Sequence, residues 1–335
     1  MSKLKINWLI IIVLGIFMFS CKKHADLKIG LMFPYTTASR MAIETQFFKA
    51  KAAELNCEVM VTDAKSDDKL QRNQAQELIK DGIDVLVIMA VNTNTAAEIV
   101  RDAHNSGVKV IAYDRLINNC DLDFYISHNN YNVGKYMAEY ALRLKPEGNY
   151  LLLGGDKADR NAIFVKNGQL DAIRNNVQSG KIKIVYDIFV EDWTAENAYY
   201  EMKKYLKLSS NNVPDVILSS YDGLSYGSNR ACEELGIDYS KTIITGQDAE
   251  PQALRNIITG KQTMTIFKPL KVLAESALEI AVKLVKNQKI ENTTSINNNR
   301  IDVPTLLFDP IAVDKSNIKE TVVKEGLVKE SDLYK

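Results

Sequence analysis

Two patterns of hydrophobic and polar positions alternate along the chain from residue 27 onward. Short apolar runs rich in β-branched residues predict strands, and most are followed by stretches whose apolar positions recur every 3.6 residues, which predicts helices. The predicted strands cover residues 27–33, 58–62, 85–89, 108–113, 123–127, 150–153, 182–188, 216–219, 242–245 and 262–267. The clearest helical stretches cover residues 40–55, 70–79, 95–104, 131–144 and 195–206.

This alternation predicts an α/β fold built on parallel sheets, because fully apolar parallel strands must be covered by helices on both faces. Ten such strands exceed one ordinary sheet, and the irregular region 114–130 breaks the regular units that a (β/α)8 barrel requires. The pattern therefore favours two doubly wound parallel-sheet lobes. A helix at 271–288, a polar stretch at 291–300 and a β-like run at 304–308 could return to the first lobe and cross again.

The amino terminus has the pattern of an export signal. Lys3 and Lys5 precede an uncharged run over residues 8–19, which is short for a membrane span, and a small residue stands directly before Cys21. This order is typical of a bacterial lipoprotein, in which Cys21 receives lipid and begins the mature chain. Met18 stands where such signals usually have leucine, so an ordinary signal peptide with a chance cysteine is the alternative.

Composition excludes several classes of protein. The 335 residues carry 42 basic and 42 acidic side chains, so the formal net charge is zero and nothing favours a polyanion such as nucleic acid. The three histidines and four cysteines show no CxxC or HxxxH spacing, which argues against a zinc site and against thiol redox chemistry. Motifs for nucleotide binding and nucleophilic hydrolysis are also missing from the sequence. We therefore expect no metal and no cofactor. Paired carboxylates for glycoside hydrolysis stay open as an alternative, but no acid/base pair is recognisable in the sequence and we expect no catalysis.

Charged and amide residues follow several predicted strands directly. They are Asp114 and Arg115, residues 154–156, residues 220–223, residues 246–248, and Lys268. Open parallel sheets bind ligands beyond the carboxyl ends of their strands. Carboxylate acceptors beside cationic donors suit a small, polar, uncharged ligand such as a sugar, whose hydroxyls both donate and accept. For any single aspartate the alternative is a helix N-cap.

Several short segments carry a resemblance to a known family. They are KIG at 28–30, DVLVI at 84–88, IAYDRLI at 111–117, DFYIS at 123–127, GQDA at 246–249, QTMT at 262–265 followed by Lys268-Pro269, and NIKET at 317–321. In these segments the chain resembles the pentose- and hexose-binding periplasmic proteins of bacterial ABC sugar transporters, from about residue 27 to residue 333. That family shares its fold with the effector domains of lac-repressor-type regulators. A regulator is excluded here because an export signal, and no DNA-binding helix-turn-helix, precedes residue 27.

The resemblance implies two lobes joined by three hinge crossings, with sugar bound in the cleft between them. The expected crossings lie near residues 128–130, 267–270 and 301–305. The division that follows is a signal peptide at 1–20, a lipid-anchored tether at 21–26, a first lobe at 27–128 plus 270–303, and a second lobe at 129–269 plus 304–335.

The resemblance also implies a set of ligand-binding residues. Carried over by position, these are Arg40, Asp114, Arg115, Asp159, Asn161, Trp193, Asp248 and Lys268. Trp193 is expected to stack on the sugar ring, the alternative being a half-buried core tryptophan at a helix start. Two further positions depart from the family pattern: Met41 replaces a tryptophan of the family's aromatic sandwich, and Tyr221 replaces an asparagine. Tyr35 is a possible substitute platform.

The expected function is capture of a monosaccharide, D-xylose or a related aldose, and its delivery to the membrane permease of an ABC transporter. The alternative is a sensor of the same fold that signals to a membrane histidine kinase. The expected partners are therefore the sugar, one of these membrane proteins, and the membrane itself through the anchor at Cys21. We expect a monomer that binds no nucleic acid.

Overall fold

Strands and helices alternate through most of the computed structural model, which describes residues 27–35 and 39–334. The predicted signal peptide and tether, with Cys21, lie outside the described residues. The first run of elements is β1 (Leu27–Phe33), α1 (Ser39–Leu55), β2 (Cys57–Asp63), α2 (Asp68–Lys80), β3 (Val85–Ile88), α3 (Ala97–Asn105), β4 (Lys109–Tyr113) and β5 (Phe124–His128).

The second run builds a separate layer of strands and helices. It comprises α4 (Asn130–Leu144), β6 (Gly148–Gly154), α5 (Arg160–Gln178), β7 (Ile182–Phe189), α6 (Ala195–Leu208), β8 (Val216–Ser219), α7 (Asp222–Glu234), β9 (Ile243–Ile244), α8 (Pro251–Thr259) and β10 (Thr265–Phe267). The chain ends with α9 (Leu270–Val285), β11 (Thr294–Asn297), β12 (Asp302–Phe308), β13 (Ile311–Val313) and α10 (Glu330–Leu333). Short helical turns lie at Glu191–Trp193 and Lys319–Val323.

The strands form two main sheets, which confirms the predicted α/β fold with parallel-sheet lobes. The first sheet has the order β11-β12-β5-β4-β3-β1-β2, parallel throughout except for the antiparallel edge strand β11. The second has the parallel order β7-β6-β8-β9. A two-stranded antiparallel pair, β10 and β13, continues beside it through a bridge between Gln247 and Ile266.

Helices cover both faces of each sheet, so central strands such as β3, β5 and β8 are buried, whereas the edge strands β2, β7 and β11 are partly exposed. On the first sheet, α1 and α9 pack against one face and α2 and α3 against the other. On the second, α4 and α5 cover one face and α6 and α7 the other. Glycines let α4 and α5 approach closely, because a Cβ at Gly134 would lie 1.8 Å from the Val165 carbonyl oxygen and one at Gly168 would lie 2.0 Å from that of Tyr131. Across the part of the chain described, no helix has the length and apolar character of a membrane span.

The chain passes between the two lobes three times, after β5, after β10 and after β12. The third crossing lies later than the sequence predicted. Residues 305–308 of β12 pair in parallel with β5, and Val303 is buried in the first-lobe core. The predicted boundary between residues 303 and 304 therefore falls inside a first-lobe strand, and the chain leaves that sheet only after Phe308.

His128 connects the three crossings. Its buried ring lies at the end of β5, donates from Nε2 to the carbonyl oxygen of Pro269 at 3.1 Å, and packs against Phe308 at a centroid distance of 6.4 Å. One side chain of the first crossing therefore touches both of the others. Burial, together with the neighbouring cations Lys268 and Arg40, lowers the pKa of His128 to about 3, although Asp114 and the hydrogen bond to Pro269 act in the opposite direction.

We expect His128 to make the protein less stable as the pH falls below about 6.5. Between pH 6 and 4 the unfolded chain protonates this ring and the folded protein does not, so stability declines with falling pH. Relative to His128→Gln, the wild type should lose about 1.4 kcal/mol more of its unfolding free energy per pH unit. Urea denaturation across this pH range measures the difference, and parallel curves for the two proteins would contradict the assignment.

Candidate functional site

A cavity of about 340 Å³ lies between the two lobes, at the carboxyl ends of their strands. This is the edge at which open parallel sheets bind ligands, and the volume lies near the lower end of the range for small-molecule sites. All ten residues singled out from the sequence line it: Arg40, Met41, Asp114, Arg115, Asp159, Asn161, Trp193, Tyr221, Asp248 and Lys268. Tyr35 lines it as well.

A group of buried charges forms the first-lobe wall. Arg40, at the start of α1, lies 3.5 Å from Asp114 Oδ2 and donates to both carboxylate oxygens of Glu44 at 3.3 Å. Glu44 is fully buried and also accepts a 2.7 Å hydrogen bond from the Tyr113 hydroxyl. Burial disfavours charge on Arg40, yet Asp114 and Glu44 outweigh it and raise its pKa. The guanidinium therefore stays charged and fixed.

Asp114 presents an ionised acceptor to the cavity. It follows β4 in the left-handed region at φ 65°, a conformation that L residues seldom adopt outside turns. Burial alone would raise the pKa of Asp114, but Arg40 and Lys268 hold it well below its usual range. Among the described residues, its buried Oδ1 has no hydrogen-bond partner. A ligand hydroxyl could donate to that oxygen.

Lys268 and Asp248 form the corresponding pair at the second lobe. Lys268, just after β10, is 5% exposed, and its Nζ lies 2.7 Å from Asp248 Oδ1. Asp248 has a φ of 89°, and its backbone N–H donates to the Ile266 carbonyl oxygen at 2.8 Å. As in the first lobe, a carboxylate in strained backbone faces the cavity with a cation beside it.

Asp159 and Asn161 join the lobes at the start of α5. Asp159 caps the helix by accepting from the Asn161 backbone N–H at 2.9 Å, so the helix-cap alternative holds for this residue together with its place in the cavity. Its Oδ2 lies 3.6 Å from Arg115 Nε across the cleft. The Asn161 side chain donates to the Asp114 carbonyl oxygen at 3.1 Å, also across the cleft. Burial raises the pKa of Asp159, and Arg115 opposes it.

Arg160 makes a further contact between the lobes at the edge of the cleft. Its Nη1 donates to Asn118 Oδ1 at 3.1 Å and to the Asn297 carbonyl oxygen at 3.0 Å. Asn118 follows β4 and Asn297 ends β11, so one second-lobe guanidinium holds two first-lobe segments. The two lobes are therefore closed over the cleft in this structure.

Trp193 lies half-buried on the helical turn before α6, at a φ of 55°. Its six-membered ring lies against Gly155, where a Cβ would come within 2.2 Å of three ring carbons. The Tyr221 ring meets it edge to face. Its Nε1 is a buried donor with no acceptor among residues 27–35 and 39–334. The ring therefore packs on the second-lobe core, as the core alternative expected, and it also lines the cavity.

The two departures from the family pattern have different surroundings. Met41 is 3% exposed and packs into the first-lobe core with Phe48, so only its edge contributes to the cavity wall. The Tyr221 hydroxyl donates to Glu250, which lies directly before α8. Tyr221 therefore lies in the wall with its polar end already bonded.

Five polar residues were not assigned to the site from the sequence, although Gln247 belongs to the polar run at 246–248. Asn130, Asp192, Gln247 and Glu250 line the cavity, and Glu44 supports Arg40 from behind. Gln247 and Glu250 flank Asp248, and Asn130 directly follows the first crossing, so their positions at strand ends were a usable signal. Glu44 lies inside α1 and could be found only from its spacing of four residues from Arg40. In the described part of the chain, no three His, Cys, Asp or Glu side chains are grouped to hold a metal ion.

Comparison with known proteins gives one family. Residues 29–289 match the periplasmic binding protein domain. The chain is 42% identical to the D-xylose-binding periplasmic protein of Haemophilus influenzae over 97% of this chain and 98% of that protein. It is 38% identical to that of Escherichia coli over 98% and 99%. An ABC transporter solute-binding protein from Clostridium phytofermentans, solved with β-D-glucose, superposes with a TM-score of 0.83 at 26% identity, covering 91% of this chain and 99% of that one.

Removing the inter-lobe contact of Arg160 should change the shape of the molecule. We expect Arg160→Ala to favour more open arrangements of the lobes, because two inter-lobe hydrogen bonds are lost. Small-angle X-ray scattering should then give a larger mean radius of gyration than for the wild type. Arg174→Ala is the matched control, since Arg174 lies on the same helix and its ion pair with Asp171 stays within the second lobe. An unchanged radius for Arg160→Ala would show that this contact does not hold the cleft.

Proposed function

This chain belongs to the periplasmic binding protein family, and from that membership we propose that it captures D-xylose or a related aldose between its lobes and delivers it to the permease of an ABC transporter. The chain is a sugar-binding protein and not an enzyme. The observation that carries the choice of ligand is the cavity, in which three cations and several carboxylate and amide acceptors from both lobes line a space sized for a small molecule.

Arg40, Arg115 and Lys268 supply charged donors to the sugar's hydroxyl oxygens. Asp114 and Asp248 supply charged acceptors to its hydroxyl protons, and hydrogen bonds to ionised groups are the stronger kind. A hydroxyl both donates and accepts, so one sugar can engage both sets at once. The Trp193 ring offers an apolar face to the C–H groups of a pyranose.

Closure of the lobes over the ligand is the second part of the proposal. Asn161, Asp159 and Arg160 contact the first lobe across the cleft. A ligand that touches both lobes stabilises the closed arrangement by its differential affinity for it. A permease then reads the closed form through the outer surfaces of the lobes, and we propose that the protein acts as a monomer whose two lobes supply both walls of the cavity.

A panel of aldopentoses and aldohexoses tests the ligand class by thermal unfolding of the purified protein. A sugar present at a hundredfold excess over its Kd stabilises the folded state by about 2.7 kcal/mol. The melting temperature should therefore rise by on the order of 5 °C with D-xylose or a stereoisomer. No shift with any sugar would sink the sugar-binding proposal.

Asp248→Ala and Arg115→Ala should each abolish that shift while leaving the unliganded protein folded, as judged by circular dichroism. Asp171→Ala is the matched control, because Asp171 is an exposed acid on α5 whose bonds lie outside the cavity. Normal stabilisation of both cavity variants by sugar would place the ligand elsewhere.

We further propose that Cys21 carries a lipid anchor, supported by the basic, apolar and small-residue order that precedes it. Cys21→Ser should remove labelling of the protein by radioactive palmitate in bacteria and make its processing insensitive to globomycin. Cys57→Ser, a cysteine inside the first lobe, should keep both properties. Globomycin-sensitive processing of Cys21→Ser would contradict the anchor.

A further inference from the structure

Two aromatic rings meet at a right angle in the cavity wall. The centroids of Trp193 and Tyr221 are 6.2 Å apart, and their planes are inclined at 87°. Both side chains line the cavity. A ligand stacked on Trp193 would lie parallel to that ring, so the plane of Tyr221 is perpendicular to the ligand. Gly155 lies against the Trp193 ring, and we take Tyr221 to stand beside the stacked ligand, at its perimeter. The perimeter is where the substituents of a sugar ring project.

Tyr221 is held in place at its polar end. Its hydroxyl donates to Glu250, and the backbone N–H of Glu250 donates to Asp222 Oδ2 at 2.9 Å. Asp222 is 2% exposed and accepts further bonds from Gln262 at 2.9 Å and from Thr265 at 2.8 Å. Tyr221 is therefore held, through Glu250, by the buried side chain of Asp222, whose two carboxyl oxygens both accept hydrogen bonds.

The Tyr221 ring is also fixed along its length. It passes close over Gly223, where a Cβ would lie 2.5 Å from a ring carbon. The ring packs on the second-lobe core together with Trp193. Moving the ring aside would break the bond to Glu250 and the contact with Trp193 at the same time. Displacing the Tyr221 ring to make room for a larger ligand is therefore energetically unfavourable.

We propose that Tyr221, held by Glu250, is a specificity-determining wall that admits an aldopyranose without an exocyclic carbon and disfavours one that carries a hydroxymethyl group. This inference rests on the proposed function, because it assumes a sugar stacked on Trp193. It selects aldopentoses over the aldohexoses of the same ring configuration. One additional methylene against a fixed pocket changes affinity by roughly 10- to 200-fold.

The chemistry of the wall is consistent with this role. The single proton of the Tyr221 hydroxyl is donated to Glu250, so the wall offers acceptors rather than donors. Gln247 Oε1, close by in the cavity lining, is a buried acceptor without a partner in the described part of the chain. A hydroxyl attached directly to the sugar ring can donate to such acceptors. In the proposed arrangement a hydroxymethyl group would reach them only by displacing the Tyr221 ring.

Isothermal titration calorimetry with two pairs of sugars tests the wall. D-Xylose and D-glucose differ by the hydroxymethyl group alone, as do L-arabinose and D-galactose. For the pair that contains the tighter ligand, the wild type should bind the pentose at least tenfold more tightly. Tyr221→Ser removes the wall and should reduce that ratio at least tenfold. Tyr226→Ser is the matched control, because Tyr226 is a 45% exposed tyrosine of α7 outside the cavity, and it should leave the ratio unchanged.

Glu250→Ala provides a second test that keeps the aromatic ring. It frees the Tyr221 hydroxyl and should reduce the ratio by at least threefold, and it serves if Tyr221→Ser fails to fold. A wild type that binds pentose and hexose equally, or folded variants with an unchanged ratio, would overturn the wall while leaving sugar capture intact. A wild type that binds none of the four sugars would overturn the wall and contradict the proposed function.

Discussion

The carboxylate of Asp114 stays ionised in a buried cleft because cations from both sides of the molecule surround it. Arg40 reaches it from α1 of the first lobe, and Lys268 acts on it from the second crossing. A buried charge without such partners is strongly unfavourable. The lobes must therefore be held in register for the site to keep its charged acceptor. The buried hinge residue His128, which touches the other two crossings, contributes to that register.

The closed cleft also leaves buried polar atoms of the described residues without hydrogen-bond partners, which is unfavourable and can be offset by a ligand. In the described residues, Asp114 Oδ1, Asn130 Oδ1 and Asn161 Oδ1 are buried acceptors without partners, and Trp193 Nε1 is a buried donor without one. A buried polar atom left without a hydrogen bond costs about 1–3 kcal/mol. These four residues line the cavity and come from both lobes. We therefore expect opening of the cleft to hydrate these atoms and a bound polyol to pair them, which would couple closure to ligand binding.

Part of this arrangement could be predicted from strand ends. Asp114 and Lys268 directly follow β4 and β10, Asp248 lies four residues after β9, and parallel strands bring their carboxyl ends to one edge. The places of Arg40, Asp159, Asn161 and Trp193 were expected only from the family resemblance. The third crossing could not be placed in the same way. The β12 segment reads as a strand in either lobe, and only its pairing with β5 assigns it to the first.

Contacts between segments that are distant in the sequence could not be predicted either. Arg160 meets Asn297 across 137 positions, and Tyr221 meets Glu250 across 29. Neither pair has a spacing that local periodicity can show, because both depend on how loops at the strand ends turn. The substitution at Tyr221 was visible in the sequence. Its consequence, a ring held in place by the hydrogen bond from the Tyr221 hydroxyl to Glu250, is visible only in the structure.

The balance of charge in the cavity argues for a neutral ligand. Lys268 is paired with Asp248, Arg40 with Glu44 and Asp114, and Arg115 lies beside Asp159. An anionic ligand would have to displace a carboxylate from one of these cations, leaving a buried charge without a partner. A hydroxyl needs no such exchange, since it uses lone pairs and protons that the ion pairs leave unused. The zero net charge of the chain is consistent with this, because a neutral sugar offers no charge for long-range attraction.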